Sequence, residues 1–98
     1  IQLGFMRCVM DRKQVLKKAA ELVSKDRQKT YGDALESHSL IADFWSAYLG
    51  VNLDAVDAAA MMVLLKISRT VGSRRAGVAH DDSWIDVCGY SSLASELE

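Results

Sequence analysis

Apolar residues recur at helical spacing in four segments of the chain, and no segment shows the apolar–polar alternation of a half-buried strand. The first segment begins at Asp11 and Gln14, whose three-residue separation is typical of a capping box. The second begins at the similar pair Asp33 and Glu36, and Gly50 supplies a left-handed stop at its end. These two segments are predicted to be helices.

A third helix is predicted to begin near Asn52 or Asp54, since either side chain can accept hydrogen bonds from the free amides of a first turn. We expect it to run to about Val71 and to end at Gly72. Its middle, residues 58–65, is apolar on every side. A helix of that kind lies at the centre of a bundle rather than on its surface.

A fourth helix is expected to start at Asp81 or Asp82 and to continue to about Leu97. The chain has 98 residues, which is the size of one domain, and we assign residues 11–98 to it. Because the first residue is not Met, we interpret residues 1–10 as a leader or a flexible arm. The predicted fold class is a compact all-α bundle of about four helices.

Composition excludes several classes of protein. Hydrophobic residues make up 50% of the chain and the formal net charge is −1, which excludes a disordered chain and general nucleic-acid binding through a basic excess. The apolar run at residues 58–65 is too short to span a membrane. Cys8 and Cys88 form neither a disulfide framework nor a zinc motif, so we expect a cytoplasmic protein.

One side of the predicted fourth helix carries apolar residues that the bundle itself does not obviously need. Trp84, Ile85 and Cys88 lie away from Tyr90 and Leu93, which mark the main apolar arc. That side either packs on the central helix or meets another subunit. Since a bundle of this size has a limited core, we expect a homo-oligomer.

Residues 66–80 carry four bases and no acid. The four bases are Lys66, Arg69, Arg74 and Arg75. The guanidinium group matches phosphate oxygens in two-point contacts, so this segment is a candidate phosphate-binding site. The helix dipole explains Lys66 and Arg69 equally well, but Arg74 and Arg75 are predicted to follow the helix end. An ordinary basic link is the alternative interpretation.

Two aspartates fall within apolar arcs. Asp57 is in line with the arc of the third helix centred on Leu64, and Asp86 lies within about 60° of Tyr90 on the fourth helix. A carboxylate in such a position costs several kcal/mol unless it is paired, hydrogen-bonded or bound to a metal. We therefore expect Asp57 and Asp86 to point into a shared interior.

A divalent cation that bridges to a polyphosphate would suit two inward carboxylates from different helices, and Mg²⁺ prefers this ligand set. The candidate metal ligands are Asp54, Asp57, Asp82 and Asp86. Capping of the first turns explains Asp54 and Asp82 without a metal. A buried salt bridge with Lys66 or Arg69 is the alternative for the other two aspartates.

Three motifs carry a resemblance to a known family. They are Tyr31-Gly32, Lys66-x-x-Arg69 and Asp82-x-Trp84-x-Asp86-x-x-Gly89-Tyr90. With them, residues 11–98 resemble a phage- and prophage-encoded domain of unknown function. That domain is in turn distantly similar to the MazG-like all-α nucleotide pyrophosphohydrolases.

The MazG-like resemblance implies an oligomeric helical bundle that uses Mg²⁺ to split nucleoside triphosphates into monophosphate and pyrophosphate. The usual signature of those enzymes is an E-x-x-E helix followed by an E-x-x-D helix. In this chain the corresponding positions read Asp54-x-x-Asp57 and Ser83-x-x-Asp86, so the second motif lacks its leading acid unless Asp82 replaces it.

The resulting hypothesis is a phage-related, nucleotide-handling protein, either a pyrophosphohydrolase or a nucleotide-binding relative. Asp57 and Asp86 would be the catalytic residues, and the four bases of residues 66–80 would bind the phosphates. The alternative is a non-enzymatic, oligomeric adaptor or anti-defence protein that binds a host protein through Trp84 and its neighbours.

Overall fold

A computed structural model describes residues 10–24, 33–78 and 81–98, with the backbone alone for Asp81. These residues form four α-helices, and no strand occurs within the described ranges. The helices are α1 (Arg12–Ser24), α2 (Ala34–Leu49), α3 (Ala55–Arg75) and α4 (Asp81–Leu97). The predicted all-α class and the number of helices are confirmed. Of the arm proposed at residues 1–10, all but residue 10 lie outside the described residues, as does the Tyr31-Gly32 motif.

The starts of the first two helices are fixed by the predicted side-chain caps. At α1, the Asp11 amide donates to Gln14 Oε1 and the Gln14 amide donates to Asp11 Oδ1, both at 2.8 Å. At α2, Asp33 Oδ1 accepts from the Glu36 amide at 2.7 Å. Each cap satisfies amides that a first helical turn leaves without a partner, so the local sequence sets these boundaries.

The connection between α2 and α3 is short and tightly hydrogen-bonded. Gly50 has φ 72°, the left-handed conformation that ends a helix most readily when the residue lacks a Cβ. Ser46 Oγ accepts from the Leu53 amide at 2.9 Å and donates to the Leu53 carbonyl at 3.3 Å. Asp54 then caps α3. These contacts hold α2 and α3 as neighbouring helices.

The prediction that Gly72 ends the third helix is wrong. The helix continues through Gly72 to Arg75, and Gly77 with φ 75° follows it. One glycine costs a helix roughly 1 kcal/mol relative to alanine, too little to stop a helix of 21 residues that packs along its length. Arg74 and Arg75 therefore lie in the last turn, where the helix dipole favours cations.

The helices pack through small side chains. α3 lies against both α4 and α2, and α1 lies against α4. The buried residues of the described chain are Ala19, Ala42, Ala55, Ala58, Ala59, Ile85, His38, Thr70 and Ser83. The central position of the apolar third helix is confirmed, but one of its sides is open, since Leu64 is 65% exposed. None of the described helices is long and apolar enough to cross a membrane.

Substitution of Asp54 by Ala is expected to destabilise the protein by about 1 kcal/mol, because α3 loses its N-cap. Urea unfolding followed by circular dichroism measures this loss. Asp54→Asn keeps an acceptor oxygen and is the matched control, expected within a few tenths of a kcal/mol of the parent. Equal stability of Asp54→Ala and the parent would contradict the assigned role of the cap.

Candidate functional site

A cavity of about 330 Å³ lies between the helices. Its walls are mostly apolar and come from all four helices, with Leu22 from α1, Ile41 from α2, Met62 from α3, and Ile85 and Leu93 from α4. Small-molecule sites in proteins are usually concave, mostly apolar and about 300–1,000 Å³ in volume. The cavity is therefore large enough for a small ligand, and it stands at the lower end of that range.

His38 is the most buried polar side chain in the cavity wall, with 7% of its surface exposed. Its Nδ1 lies 2.9 Å from the Ala34 carbonyl oxygen, which can only accept, so Nδ1 carries the hydrogen. Nε2 is then an acceptor, and it finds no hydrogen-bond partner in the described part of the chain. His38 is thus a core histidine that is hydrogen-bonded through Nδ1.

Tyr90 stands beside His38 in the same wall. The two ring centroids are 6.1 Å apart and the ring planes meet at 67°, an edge-to-face arrangement that aromatic pairs favour. Ser37 also lines the cavity, and its Oγ lies 3.3 Å from His38 Nδ1. The polar groups of α2 and the aromatic ring of α4 thus meet on one side of an otherwise apolar space.

Asp86 is the carboxylate that lines the cavity, as its position in the apolar arc of α4 predicted. It forms an ion pair with Lys66 of α3, with 3.0 Å between Nζ and Oδ2. Both side chains are more than half-buried, so water screens the pair less than it screens a surface pair. The salt bridge with Lys66, left open as an alternative above, is what the structure shows for Asp86.

The structure places Asp57 elsewhere, and the expectation that it points inward is wrong. Asp57 is exposed and forms a reciprocal capping box with Asp54, at 3.0 Å and 2.9 Å between amide nitrogens and carboxylate oxygens. The arc that contains Asp57 is apolar, but it faces outward, since Leu64 and Ile67 on the same arc are exposed. Asp54 acts as the cap that was predicted for it.

The described residues do not fit a Mg²⁺ site that joins Asp57 to Asp86. Asp86 lines the cavity and pairs with Lys66, whereas Asp57 does not line it and is exposed at the start of α3. Asp82 is also exposed. Across residues 10–24, 33–78 and 82–98, no group of three or more His, Cys, Asp or Glu side chains is arranged to hold a metal ion.

The four predicted phosphate-binding residues do not lie at one place in the structure. Lys66 reaches the cavity wall through its ion pair with Asp86. Arg69, Arg74 and Arg75 are exposed and do not line the cavity. Phosphate binding by the three arginines would therefore need a second surface, separate from the site that contains Lys66.

The three residues Trp84, Ile85 and Cys88 on one side of α4 differ in their exposure to solvent. Ile85 is only 2% exposed and packs inside the bundle, while Trp84 is 44% exposed and Cys88 is intermediate. Of the two alternatives for this side, packing within the bundle therefore applies to Ile85. Trp84 remains available to a partner.

Sequence reasoning placed Tyr90 in the apolar arc of α4, but did not identify Tyr90 and His38 as neighbours in a site. Ser37 was missed entirely. One usable signal was present, because a polar residue near an apolar helical stripe requires a partner or a ligand. These residues are brought together by the packing of α2 against α4, and the spacing of residues within one helix cannot predict which residues of another helix it will meet.

The chain is similar to phage proteins of unknown function. A family model described as a domain of unknown function, DUF6378, matches residues 14–98. The Gene 55 protein of Mycobacterium phage L5 is 36% identical over 85 residues, which cover 86% of this chain and 52% of that protein. The Gene 55 protein of Mycobacterium phage D29 is 32% identical over 83 residues, which cover 85% of this chain and 52% of that protein. The chain thus spans about half the length of these relatives. No solved structure matches.

The ion pair between Lys66 and Asp86 is expected to show a coupling free energy of about 1 kcal/mol, because both side chains are partly buried. A double-mutant cycle with Lys66→Met and Asp86→Asn, measured by urea unfolding, gives this value. The coupling should fall in high salt only slightly, unlike that of an exposed pair. A coupling of zero would show that the two charges do not stabilise the fold.

Proposed function

We propose that this chain, which belongs to the DUF6378 family, is a phage-related protein that binds a nucleotide in the cavity between its helices. The observation that carries the proposal is the union of apolar walls with one partly buried ion pair, Lys66 and Asp86, at the same cavity. A nucleotide has the matching parts, a flat and weakly polar base and an anionic phosphate. The MazG-like resemblance points to the same class of ligand and is part of this proposal.

The size of the cavity determines how a nucleotide would lie in it. A volume of about 330 Å³ accommodates the base and sugar but leaves little room for a chain of phosphates. The phosphates would therefore lie outside the apolar part, near the ammonium group of Lys66. Lysine binds phosphate as a compact point charge with three hydrogen-bond donors.

His38 and Tyr90 supply the recognition of the base in this proposal. The Tyr90 ring offers an aromatic surface, and base–aromatic contacts contribute about 1–3 kcal/mol each. His38 Nε2 is an acceptor without a donor among the described residues, so an N–H group of the base would satisfy it. Leaving a buried acceptor without a partner costs about 1–3 kcal/mol, which binding would recover.

Of the two nucleotide-related possibilities, we propose the nucleotide-binding relative rather than the pyrophosphohydrolase. The implied mechanism requires Asp57 and Asp86 at one metal ion, and Asp57 is exposed in a capping box outside the cavity. The remaining cavity residues offer a binding surface, since Asp86 is already paired with Lys66. No step through Mg²⁺ follows from this arrangement.

Titration calorimetry with a panel of nucleosides and nucleotides tests the binding site. Lys66→Met is expected to weaken nucleotide binding about tenfold, because one charge-assisted contact to phosphate is lost. The same variant should bind the corresponding nucleoside as tightly as the parent does, which shows that the cavity is intact. Arg69→Met removes a positive charge from the same helix outside the cavity and is the matched control.

Weaker binding by Arg69→Met or by the double variant Arg74→Gln/Arg75→Gln, with Lys66→Met unaffected, would move the phosphate site to the arginines and contradict the proposal. Absence of binding for every nucleotide, with and without Mg²⁺, would also contradict it and would favour the adaptor. In that case the exposed Trp84 is the feature to test. Capture of a host protein that is lost in Trp84→Glu would then support the adaptor.

A pyrophosphate-release assay separates binding from catalysis. With nucleoside triphosphates and Mg²⁺ we expect no enzyme-dependent release of pyrophosphate, since Asp57 and Asp86 lie in different surroundings. The informative variant is Asp57→Asn, which keeps the cap and removes the charge. Release of pyrophosphate by the parent protein that Asp57→Asn abolishes would restore the two-aspartate mechanism.

A further inference from the structure

The outer side of α3 carries an exposed, mainly apolar stripe with a charged residue at each end. Its members recur at alternating intervals of three and four residues, which is the spacing by which one helix packs along another. Leu64 is 65% exposed and Ile67 is 36% exposed, and Val71 is the one partly buried member. We call this surface the α3 stripe, and its members are Asp57, Ala60, Leu64, Ile67, Val71 and Arg74.

The α3 stripe lies away from the side of the helix that α2 and α4 cover. On a helical projection the four buried residues of α3 are at least about 120° from Leu64. They are Ala55, Ala58, Ala59 and Thr70. Met62, which lines the cavity, is also on the far side, at about 160°. A second molecule can therefore reach the stripe without displacing α2 or α4, and its binding there does not depend on the proposed ligand of the cavity.

The spacing of the α3 stripe is the same in both directions along the helix. Its midpoint falls between Leu64 and Ile67. When two copies of α3 run antiparallel about this midpoint, Leu64 of each copy lies beside Ile67 of the other. Ala60 then lies beside Val71, so a small side chain meets a larger one in each of the outer layers. The stripe is therefore complementary to a second copy of itself.

The charges at the two ends of the stripe select the antiparallel direction. Asp57 is near the amino end of α3, and Arg74 and Arg75 are in its last turn. Arg75 follows Asp57 by about five helical turns, so the two lie at the same angle around the helix. A two-fold axis across the helices places positions of the same flank opposite each other, so Asp57 faces the two arginines of the other copy. A parallel pair would bring like charges together.

The capping role of Asp57 is compatible with this contact. Its Oδ2 accepts from the Asp54 amide at 3.0 Å. A carboxylate has about four lone-pair sites, so it can accept from a guanidinium group at the same time. The carboxylate is also exposed, as the contact requires.

We propose that two copies of this chain form a dimer by packing their α3 stripes against each other in antiparallel directions. One two-fold axis satisfies the whole contact, because both partners use the same surface. The contact is one helix wide and about 27 Å long from Asp57 to Arg75, at 1.5 Å per residue. An interface of this width belongs to the weak class, below about 1,200 Å² in total. We therefore expect a dissociation constant on the order of 10–100 μM.

Sedimentation equilibrium on the full chain tests the dimer. The parent is expected to be mainly dimeric at about 300 μM, and Leu64→Glu is expected to weaken association by at least about tenfold. Leu16→Glu is the matched control, because Leu16 is a leucine of similar exposure, 59%, on α1 outside the stripe. It should leave the dimer intact. Circular dichroism verifies that each variant retains its helices.

Charge reversal tests the antiparallel direction. Asp57→Lys and Arg74→Glu/Arg75→Glu should each associate about tenfold more weakly than the parent at low salt, since each dimer would carry like charges at both ends. An equimolar mixture of the two variants should recover the parent's affinity, because a positive residue then faces a negative one at each end. Asp57→Asn keeps an acceptor for the cap and should weaken association by about threefold.

A control mixture separates this pairing from general attraction between charged proteins. Lys13→Glu/Lys17→Glu reverses two exposed positive charges on α1, outside the stripe. Mixed with Asp57→Lys, it should not form the mixed dimer with the parent's affinity. Equal recovery in both mixtures would show that net charge, and not the antiparallel contact, controls association.

Three further outcomes would overturn the inference. One is a parent chain that stays monomeric at about 300 μM. Another is a dimer that Leu64→Glu leaves unchanged, which would place the contact on a different surface. The third is failure of Asp57→Lys to associate with Arg74→Glu/Arg75→Glu although both variants are folded, which would show that the two ends of α3 do not meet.

Discussion

The helices of this bundle approach one another through alanine, and that constraint decides where the larger apolar residues lie. Ala55, Ala58 and Ala59 on α3 and Ala42 on α2 are buried, and the two central alanines, Ala58 and Ala59, are completely inaccessible to solvent. Short side chains bring the helix axes close together, but each buries little apolar area and so contributes less than the roughly 1.5–3 kcal/mol of a buried leucine or phenylalanine. The larger apolar side chains therefore either line the cavity or face outward.

The cavity follows from this distribution. Where the helices diverge around His38 and Tyr90, the apolar residues surround a space instead of filling it. In that space the ion pair of Lys66 and Asp86 is stable because each charge compensates the other. A phosphate that binds Lys66 competes with Asp86 for the same ammonium group. The free energy gained from the phosphate contact is thus the difference between a Lys66–phosphate pair and the Lys66–Asp86 pair that it replaces. The apolar walls must therefore supply much of the affinity.

The sequence was sufficient to predict local structure. Asp11, Asp33 and Asp54 were recognised as caps because a cap depends on residues three positions apart. The orientation of Asp57 was not predictable in the same way. Since the middle of α3, residues 58–65, is apolar on every side, periodicity defines an arc but cannot tell which arc meets the neighbouring helices. The presence of small residues was the informative signal, because alanine lines the packed side and larger residues such as Leu64 lie on the open side.

The manner in which α1 is attached has a consequence for kinetics. This helix packs against α4, and Ala19 is its one buried residue, yet its Leu22 and Val23 form part of the cavity wall. Local unfolding costs least where few apolar contacts are lost. Detachment of α1 is therefore the cheapest opening of the fold. Its backbone amides are expected to exchange with solvent before those of α3, and each such opening removes part of the cavity wall.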